Sequence, residues 1–301
     1  MGLWKVTLSS SRFFETSDKH CHSKRKTAKR RRNPLVMRKQ YIKKGKCIFC
    51  GKSYPEVTFF DKPHTTPHSL GSDRIGFDVC DKCNHFFGEP DKSIYPRLAV
   101  ETCVKEIFGV IRFMLNLERE GHEKDTLKSK YFNFWRSRNT LQFKTTFKHN
   151  SPYFRRIFIK QFKRGLYELF LQEYHLRTGN GLDARFDRVR RYARYGYGDI
   201  PIWHLQTRLL LLEADLSIPA LAINEHAIEE IDTYGFYSMY LWGFWFYLEV
   251  TPRAELAREV YLRKVAKDVN VGGFVVKDLV QLKDIDDIDY TLRQLYGGRS
   301  F

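Results

Sequence analysis

Acidic residues are nearly missing from the front of this chain. Residues 1–52 contain 16 Lys and Arg against 2 Asp and Glu, a net charge of +14. The rest of the chain carries only +3 of the total of +17. The basicity is therefore local, which suits a polyanion met at one end better than a uniformly basic surface. Cysteine is also scarce, at 6 in 301 residues, which excludes a disulfide-dense scaffold. Long apolar runs are missing: the longest, from Phe236 to Val250, is too short to span a bilayer and contains Ser238, Gly243 and Glu249. The opening residues Met1 to Val6 lack the apolar core of a signal peptide, so the expectation is a cytoplasmic protein with reduced thiols. There is no internal repeat and no long low-complexity tract. Hydrophobic content of 43% and aromatic content of 15% exclude a disordered chain and leave a globular one with a real core.

What the chain does have is a pattern in its few cysteines. Cys47-Ile-Phe-Cys50 and Cys80-Asp-Lys-Cys83 are two C-x2-C pairs with 29 residues between them, while Cys21 and Cys103 stand alone. A C-x2-C turn offers two thiolates from one knuckle, and two knuckles complete the tetrahedral set that zinc prefers. Gly51 follows the first pair, where a tight turn is needed. Cys47, Cys50, Cys80 and Cys83 are therefore expected to bind a structural zinc ion.

Around this pattern the chain divides into regions. Residues 1–45 form a basic arm with little apolar periodicity, expected to be flexible until it meets nucleic acid, or else to serve as a solubilising tail or localisation signal. Residues 46–97 hold the cysteines, with a short strand over Glu56–Phe60, a loop over Ser69–Asp73 and a helix beginning near Asn84. Residues 98–180 are mainly helical. Leu98, Val100, Val104, Ile107, Phe108 and Ile111 predict a helix over 98–119, and Ser151-Pro152 caps a second that runs to Gly179. Residues 122–150 carry no clear pattern. In residues 181–301, Gln206–Leu212, Leu221–Ile223 and Tyr234–Val250 read as strands, and a helix is expected from Pro252 to about Lys267. The predicted class is α+β, with a helical middle and a C-terminal region of mixed helix and strand.

Several residues within the cysteine segment are not needed for zinc. His64, Pro67, Leu70 and Gly71 lie between the pairs, Asn84 directly follows the second, and Phe87-Gly88 comes soon after. The combined pattern, over roughly residues 46–95, resembles the HNH family of ββα-metal endonucleases in its zinc-knuckle form. The resemblance implies a small zinc-stapled ββα-metal module in which His64 is the general base that activates water. Its ordinary pKa of ~6.5 suits that task. It implies that Asn84 helps hold a catalytic Mg2+ or Mn2+ ion or orients the histidine loop; a helix cap is the alternative for Asn84. Pro63 stands where many members carry an acid or a second histidine, and Gly88 where they often carry a histidine. The second ligand is then open among Asp61, His68, His85, Glu89 and Asp91, and loss of catalysis stays open with it.

Three other features bear on function. Arg185, Arg188, Arg190, Arg191 and Arg194, interleaved with Phe186, Tyr192, Tyr195 and Tyr197, read either as a nucleic-acid surface or as a face salt-bridged to Asp183, Asp187 and Asp199. Asp284, Asp286, Asp287 and Asp289 read as a solvated acidic run, since the glycine and terminal glutamate of a calcium loop are missing. The aromatic stretch Phe236 to Tyr247 reads as core or, failing that, as a partner surface.

The expected function is a metal-dependent endonuclease that hydrolyses phosphodiester bonds, with double-stranded DNA as partner. The family context is bacterial or phage restriction, defence or mobile elements. The alternative is a zinc-knuckle nucleic-acid-binding protein without catalysis. A zinc-stapled protein-interaction module is the third reading and ignores the charge asymmetry. The C-terminal region is left for a second copy of the chain, a partner protein or target choice.

Overall fold

A 27-residue helix is the longest element among the described residues, and its ends are written in the sequence. In this computed structural model, described over residues 38–90, 92, 95–117, 121, 125–138, 140–207, 221–271 and 276–288, the helix spans Pro152–Thr178 and is α3 below. Ser151 Oγ accepts the Phe154 N–H at 3.3 Å, and Gly179 ends the helix in the left-handed conformation. Before it come α1 (Asp81–Gly88), α2 (Val100–Asn116) and the hairpin β1 (Phe132–Trp135) and β2 (Thr140–Phe143). After it come α4 (Asp187–Tyr195), β3 (Ile202–Thr207), α5 (Glu225–Tyr234), β4 (Phe236–Leu241), β5 (Phe244–Glu249), α6 (Arg253–Val271) and β6 (Val276–Gln281). The architecture is α+β.

The main sheet has the order β4-β5-β3-β6, and every pair in it is antiparallel. Its two faces follow the period-2 alternation of strands. Tyr237, Met239, Phe246 and Leu248 face α2 and α3, where Phe246 lies 6.2 Å from Phe108 and 6.0 Å from Phe162, centroid to centroid. Phe236, Tyr247 and Leu205 face α6, with Phe236 stacked on Tyr261 at 4.3 Å. The β4–β5 turn is Trp242-Gly243, with φ values of 46° and 82°. Two positive φ angles make the turn that matches strand twist. The indole can occupy such a position because its ring is buried against Phe108, 5.0 Å away. Helices α2 and α3 cross so closely at Gly165 that a Cβ there would strike Val104.

One buried cluster runs from Cys47 through α2 and α3 to Ile288, so the cysteine segment and the C-terminal region share a core. Residues from Lys39 onward form one compact unit. The last part of the expected arm belongs to that unit, because Tyr41 N–H donates to Phe59 O and the N–H groups of Lys43, Lys44 and Gly45 donate to Asp78. Arm residues 1–37 lie outside the described residues.

The structure corrects several expectations. Glu56–Phe60 is not a strand: Thr58 and Phe59 offer their carbonyls to Asp81 and Tyr41 separately, so no ladder forms. The helix expected near Asn84 starts at Asp81 and stops before Pro90. Residues 122–150 contribute a hairpin to the mainly helical middle. Leu221–Ile223 is not a strand but leads into α5, which Asn224 caps by accepting the Ala227 N–H at 2.9 Å. The strand expected from Gln206 begins earlier, at Ile202, and residues 208–212 lie outside the described residues. Among the described residues no helix is long and apolar enough to cross a membrane.

Candidate metal centre and adjoining cleft

Each cysteine pair is shaped by its own backbone. In the first, Gly51 N–H donates to Cys47 O at 2.9 Å and the residues around it close in a bridge between Lys46 and Ser53. In the second, Cys80 caps α1 and Cys83 sits in its first turn. The four Sγ atoms lie within 4.8 Å of one another, with Cys47, Cys80 and Cys83 buried. Cys50 Sγ and Cys80 Sγ are 3.7 Å apart. A tetrahedral zinc ion at ~2.3 Å from each sulfur would set neighbouring sulfurs ~3.8 Å apart. None of the four is in a disulfide. Mutual contacts push the Cys47 and Cys83 thiols up and the Cys50 and Cys80 thiols down. Four thiolates in one buried place need a counter-charge, and a divalent ion such as zinc supplies it. Two donors outside the set reach the sulfurs: Cys80 N–H to Cys47 at 3.4 Å, and Arg194 Nε to Cys83 at 3.3 Å. Such contacts orient metal ligands.

His64 stands beside this cluster on a short ribbon. It bridges Ile75, while Thr65 N–H donates to Arg74 O at 3.1 Å and Gly76 N–H to Pro63 O at 2.8 Å. The 3-10 turn His68–Leu70 closes the loop and sets the His68 ring 5.6 Å from that of His64. The ribbon and α1 enclose a cleft of about 380 Å³, lined by His64, His68, Asn84, His85, Glu89 and others. Helix α2, some way down the chain, adds Glu101 and Lys105, which pair with each other at 2.5 Å. Burial, with help from Lys62 and then His68, holds the His64 pKa below its ordinary value, so the ring is neutral at pH 7. Asn84 lies inside α1, which Cys80 caps, so the helix-cap alternative for Asn84 falls away.

Three of the remaining expected ligands are engaged in ion pairs, while Glu89 lines the cleft. His85 Nε2 lies 2.9 Å from Asp61, and His68 Nε2 lies 3.1 Å from Asp73. Asp91 lies outside the described residues. Apart from the four cysteines, the described residues contain no group of three histidine, cysteine or acidic side chains whose ligand atoms converge.

Behind the ribbon lies a layer of buried polar groups that the sequence does not announce. Asp78, fully buried, accepts the N–H groups of Lys43, Lys44 and Gly45 and a hydrogen bond from His175 Nε2 at 2.9 Å. The Gly181 N–H donates to His175 Nδ1, which assigns the proton to Nε2. Burial alone would raise the Asp78 pKa, yet the hydrogen bonds from His175 and the three backbone groups outweigh it and hold the carboxyl below its ordinary range. Asp81 accepts Asp61 N–H at 2.8 Å and the Thr58 hydroxyl, tying the segment before His64 to α1. Glu173 of α3, 1% exposed, meets Arg74 of the ribbon at 2.9 Å. Burial pushes its pKa up, against Thr65 and Arg74.

The arginine cluster is largely consumed within the fold. Arg185 pairs with Asp183 and Asp232, Arg188 with Glu255, and Arg190 with Asp187 and the Ile48 carbonyl. Phe186 and Tyr192 are core residues, whereas Tyr195 and Tyr197 are exposed. The acidic run is not simply solvated: Asp284 and Asp286 pair with Arg155, Asp286 also meets His149, and Asp284 with Asp287 caps a short turn. Asp289 lies outside the described residues. Comparison with protein-family models, curated proteins and solved structures found no match for this chain, so the site is read from its own chemistry.

Proposed function

We propose that the chain is a metal-dependent nuclease of the HNH type that hydrolyses phosphodiester bonds in nucleic acid, with DNA as the first substrate to test. The observation that carries this reading is that His64 and Asn84, 20 positions apart in sequence, line one cleft beside the four-cysteine cluster. In it, zinc at Cys47, Cys50, Cys80 and Cys83 anchors the ends of the intervening segment. His64, neutral at pH 7, takes a proton from water through an imidazole nitrogen, and the water oxygen attacks phosphorus as the P–O bond to the departing sugar oxygen breaks, that oxygen taking up a proton from solvent. Lys62 faces the same cleft and attracts the phosphate, while Lys105 there is paired with Glu101. Asn84 offers the amide oxygen that would hold a hard divalent ion, which when bound supplies neutralisation of phosphate charge. The basic residues at the front of the chain add affinity for the phosphate backbone.

Plasmid nicking by the zinc-loaded protein, with Mg2+, with Mn2+ and with neither, tests the reading. His64→Ala should lower the rate by about 10²–10⁴-fold while keeping its zinc. The rate should also rise with pH through a value below ~6.5 and stay level above neutrality, since the base form must be free. A second reading, binding without cleavage, is favoured by one observation: no second set of metal ligands converges among the described residues. Salt-sensitive binding with no nicking under any metal would select it.

A further inference from the structure

The Tyr195-Gly196-Tyr197-Gly198 segment has no role in the cleft, and its form is unusual. Two tyrosines, 44% and 69% exposed, stack on each other in solvent with centroids 5.6 Å apart and planes at 21°. The two glycines make this possible: both hold positive φ, +68° and +75°, where a side chain would strain the backbone. The loop therefore turns twice, and its two rings meet in front of it. Single exposed tyrosines need no explanation, but a paired set facing water offers flat apolar area with nothing on it.

Exposed cations stand near the pair, and the neighbouring acids are engaged, Asp199 by Lys163 at 2.6 Å and Asp284 and Asp286 by Arg155. Helix α3 presents Tyr153, Arg156 and Lys160 at positions i, i+3 and i+7, all exposed, so they form one stripe about 10 Å long at ~1.5 Å per residue. No acidic residue occurs between Tyr153 and Lys160. The stripe ends at the loop: Lys160 Cε comes within 3.4 Å of where a Cβ on Gly196 would stand. Arg191, exposed, lies one helical turn before Tyr195 on α4. Arg194 is different, being held by Cys83 Sγ and by the Phe86 face at 3.7 Å, and from there it covers the Tyr195 ring at 5.1 Å. It fixes the ring pair to the metal centre.

We infer that the Tyr195–Tyr197 pair and the Tyr153–Arg156–Lys160 stripe form a binding surface for an unpaired nucleic-acid strand, with bases stacked on the rings and phosphates met by the cations. A duplex hides its base faces, whereas an unpaired strand exposes them, and stacking on tyrosine does not depend on base identity. The position suits such a strand. Asn84, His85 and Gly88 turn one side of α1 to the cleft, while Cys83 and Phe86 meet Arg194 on another. The surface and the cleft thus lie on different sides of α1, a helix ~10–12 Å across. The inference rests on the nucleic-acid part of the proposed function and not on cleavage.

Fluorescence anisotropy of the full zinc-loaded chain tests it, using 12-nucleotide single strands of DNA and of RNA and the matching DNA duplex. Replacing both rings, Tyr195→Ala with Tyr197→Ala, should weaken single-strand binding about 10–100-fold and duplex binding less than about threefold. Tyr195→Phe with Tyr197→Phe keeps the rings and should bind single strands as the wild type does. Arg156→Gln with Lys160→Gln should flatten the salt dependence for single strands by about 1.4 in log–log slope. The DNA and RNA arms tell which strand is preferred. Equal losses for strand and duplex, or unchanged strand binding by the alanine variant, would overturn the inference. So would a phenylalanine variant as weak as the alanine one. If the wild type bound no nucleic acid, as a surface for a protein partner would give, the inference would fail together with the nucleic-acid reading. Absence of nicking alone would leave it standing. Should the alanine variant lose its fold, the phenylalanine pair and the salt slope decide.

Discussion

The cysteine region and the C-terminal sheet share a core but are held by different physics. Between Tyr41 and Gly88, regular structure amounts to one 8-residue helix, one 3-10 turn and two isolated bridges. Order there comes from point-to-point contacts: four sulfurs around one place, Asp78 under three backbone N–H groups and His175, and Asp81 across to Asp61 and Thr58. The sheet relies instead on continuous ladders and on aromatic burial against α3 on one face and α6 on the other. Directional contacts demand particular atoms, whereas burial demands volume and apolarity. A region with few ladders can hold an irregular cleft in place, and a region made of ladders can carry the load behind it.

The strongest way to break this contrast is to remove the metal. A structural zinc site is worth ~10–16 kcal/mol in small isolated modules. Chelation, or Cys80→Ser, should abolish hydrogen-exchange protection across residues 41–89 and leave most of it in the β4–β5 ladder. If both regions opened together, the division would be wrong. Next is Phe246→Ala, which should cost about 3–5 kcal/mol in urea unfolding because it empties the space between β5, α2 and α3. Its metal content should match the wild type.

Asp78→Asn is smaller, at about 2 kcal/mol, the worth of charge-assisted hydrogen bonds to a buried group. It also carries a pH signature. The folded pKa of Asp78 is depressed, so its stabilisation is complete above the ordinary value of ~3.9 and is lost as pH falls through the folded value. Wild-type urea midpoints should therefore fall more steeply than those of Asp78→Asn as the pH drops below about 4. The smallest effect sharpens the comparison at the support common to both regions. Gly165→Ala gains up to ~1 kcal/mol of helix propensity but drives a methyl into Val104, where overpacking costs ~1–3 kcal/mol. The expected net loss is about 1 kcal/mol, read as a lower Tm. A gain in stability would show that α2 moves freely off α3.

Much of this was legible in the chain. The two C-x2-C pairs, the α2 stripe, and the Ser151-Pro152 start and Gly179 stop of α3 all depend on residues within a few positions of one another. α5 was hidden because the apolar Leu221–Ile223 before it resembles a strand, and β6 because its partner β3 lies some 70 positions away. The arginine cluster was ambiguous for a similar reason. Its acids Asp232 and Glu255 come from α5 and α6, which no local pattern brings near.

The sequence by itself determined the four-cysteine cluster, the α+β class, and His64 and Asn84 as residues to watch, because cysteine spacing and apolar periodicity are local. The tertiary structure alone decided that His64 and Asn84 share a cleft with Glu101 and Lys105. It also decided that Asp78 meets His175 across 97 positions and that Glu173 stands behind the histidine ribbon. A polar side chain acquires its role from the groups that desolvate and pair with it, and those arrive from distant parts of the chain only once the core has closed.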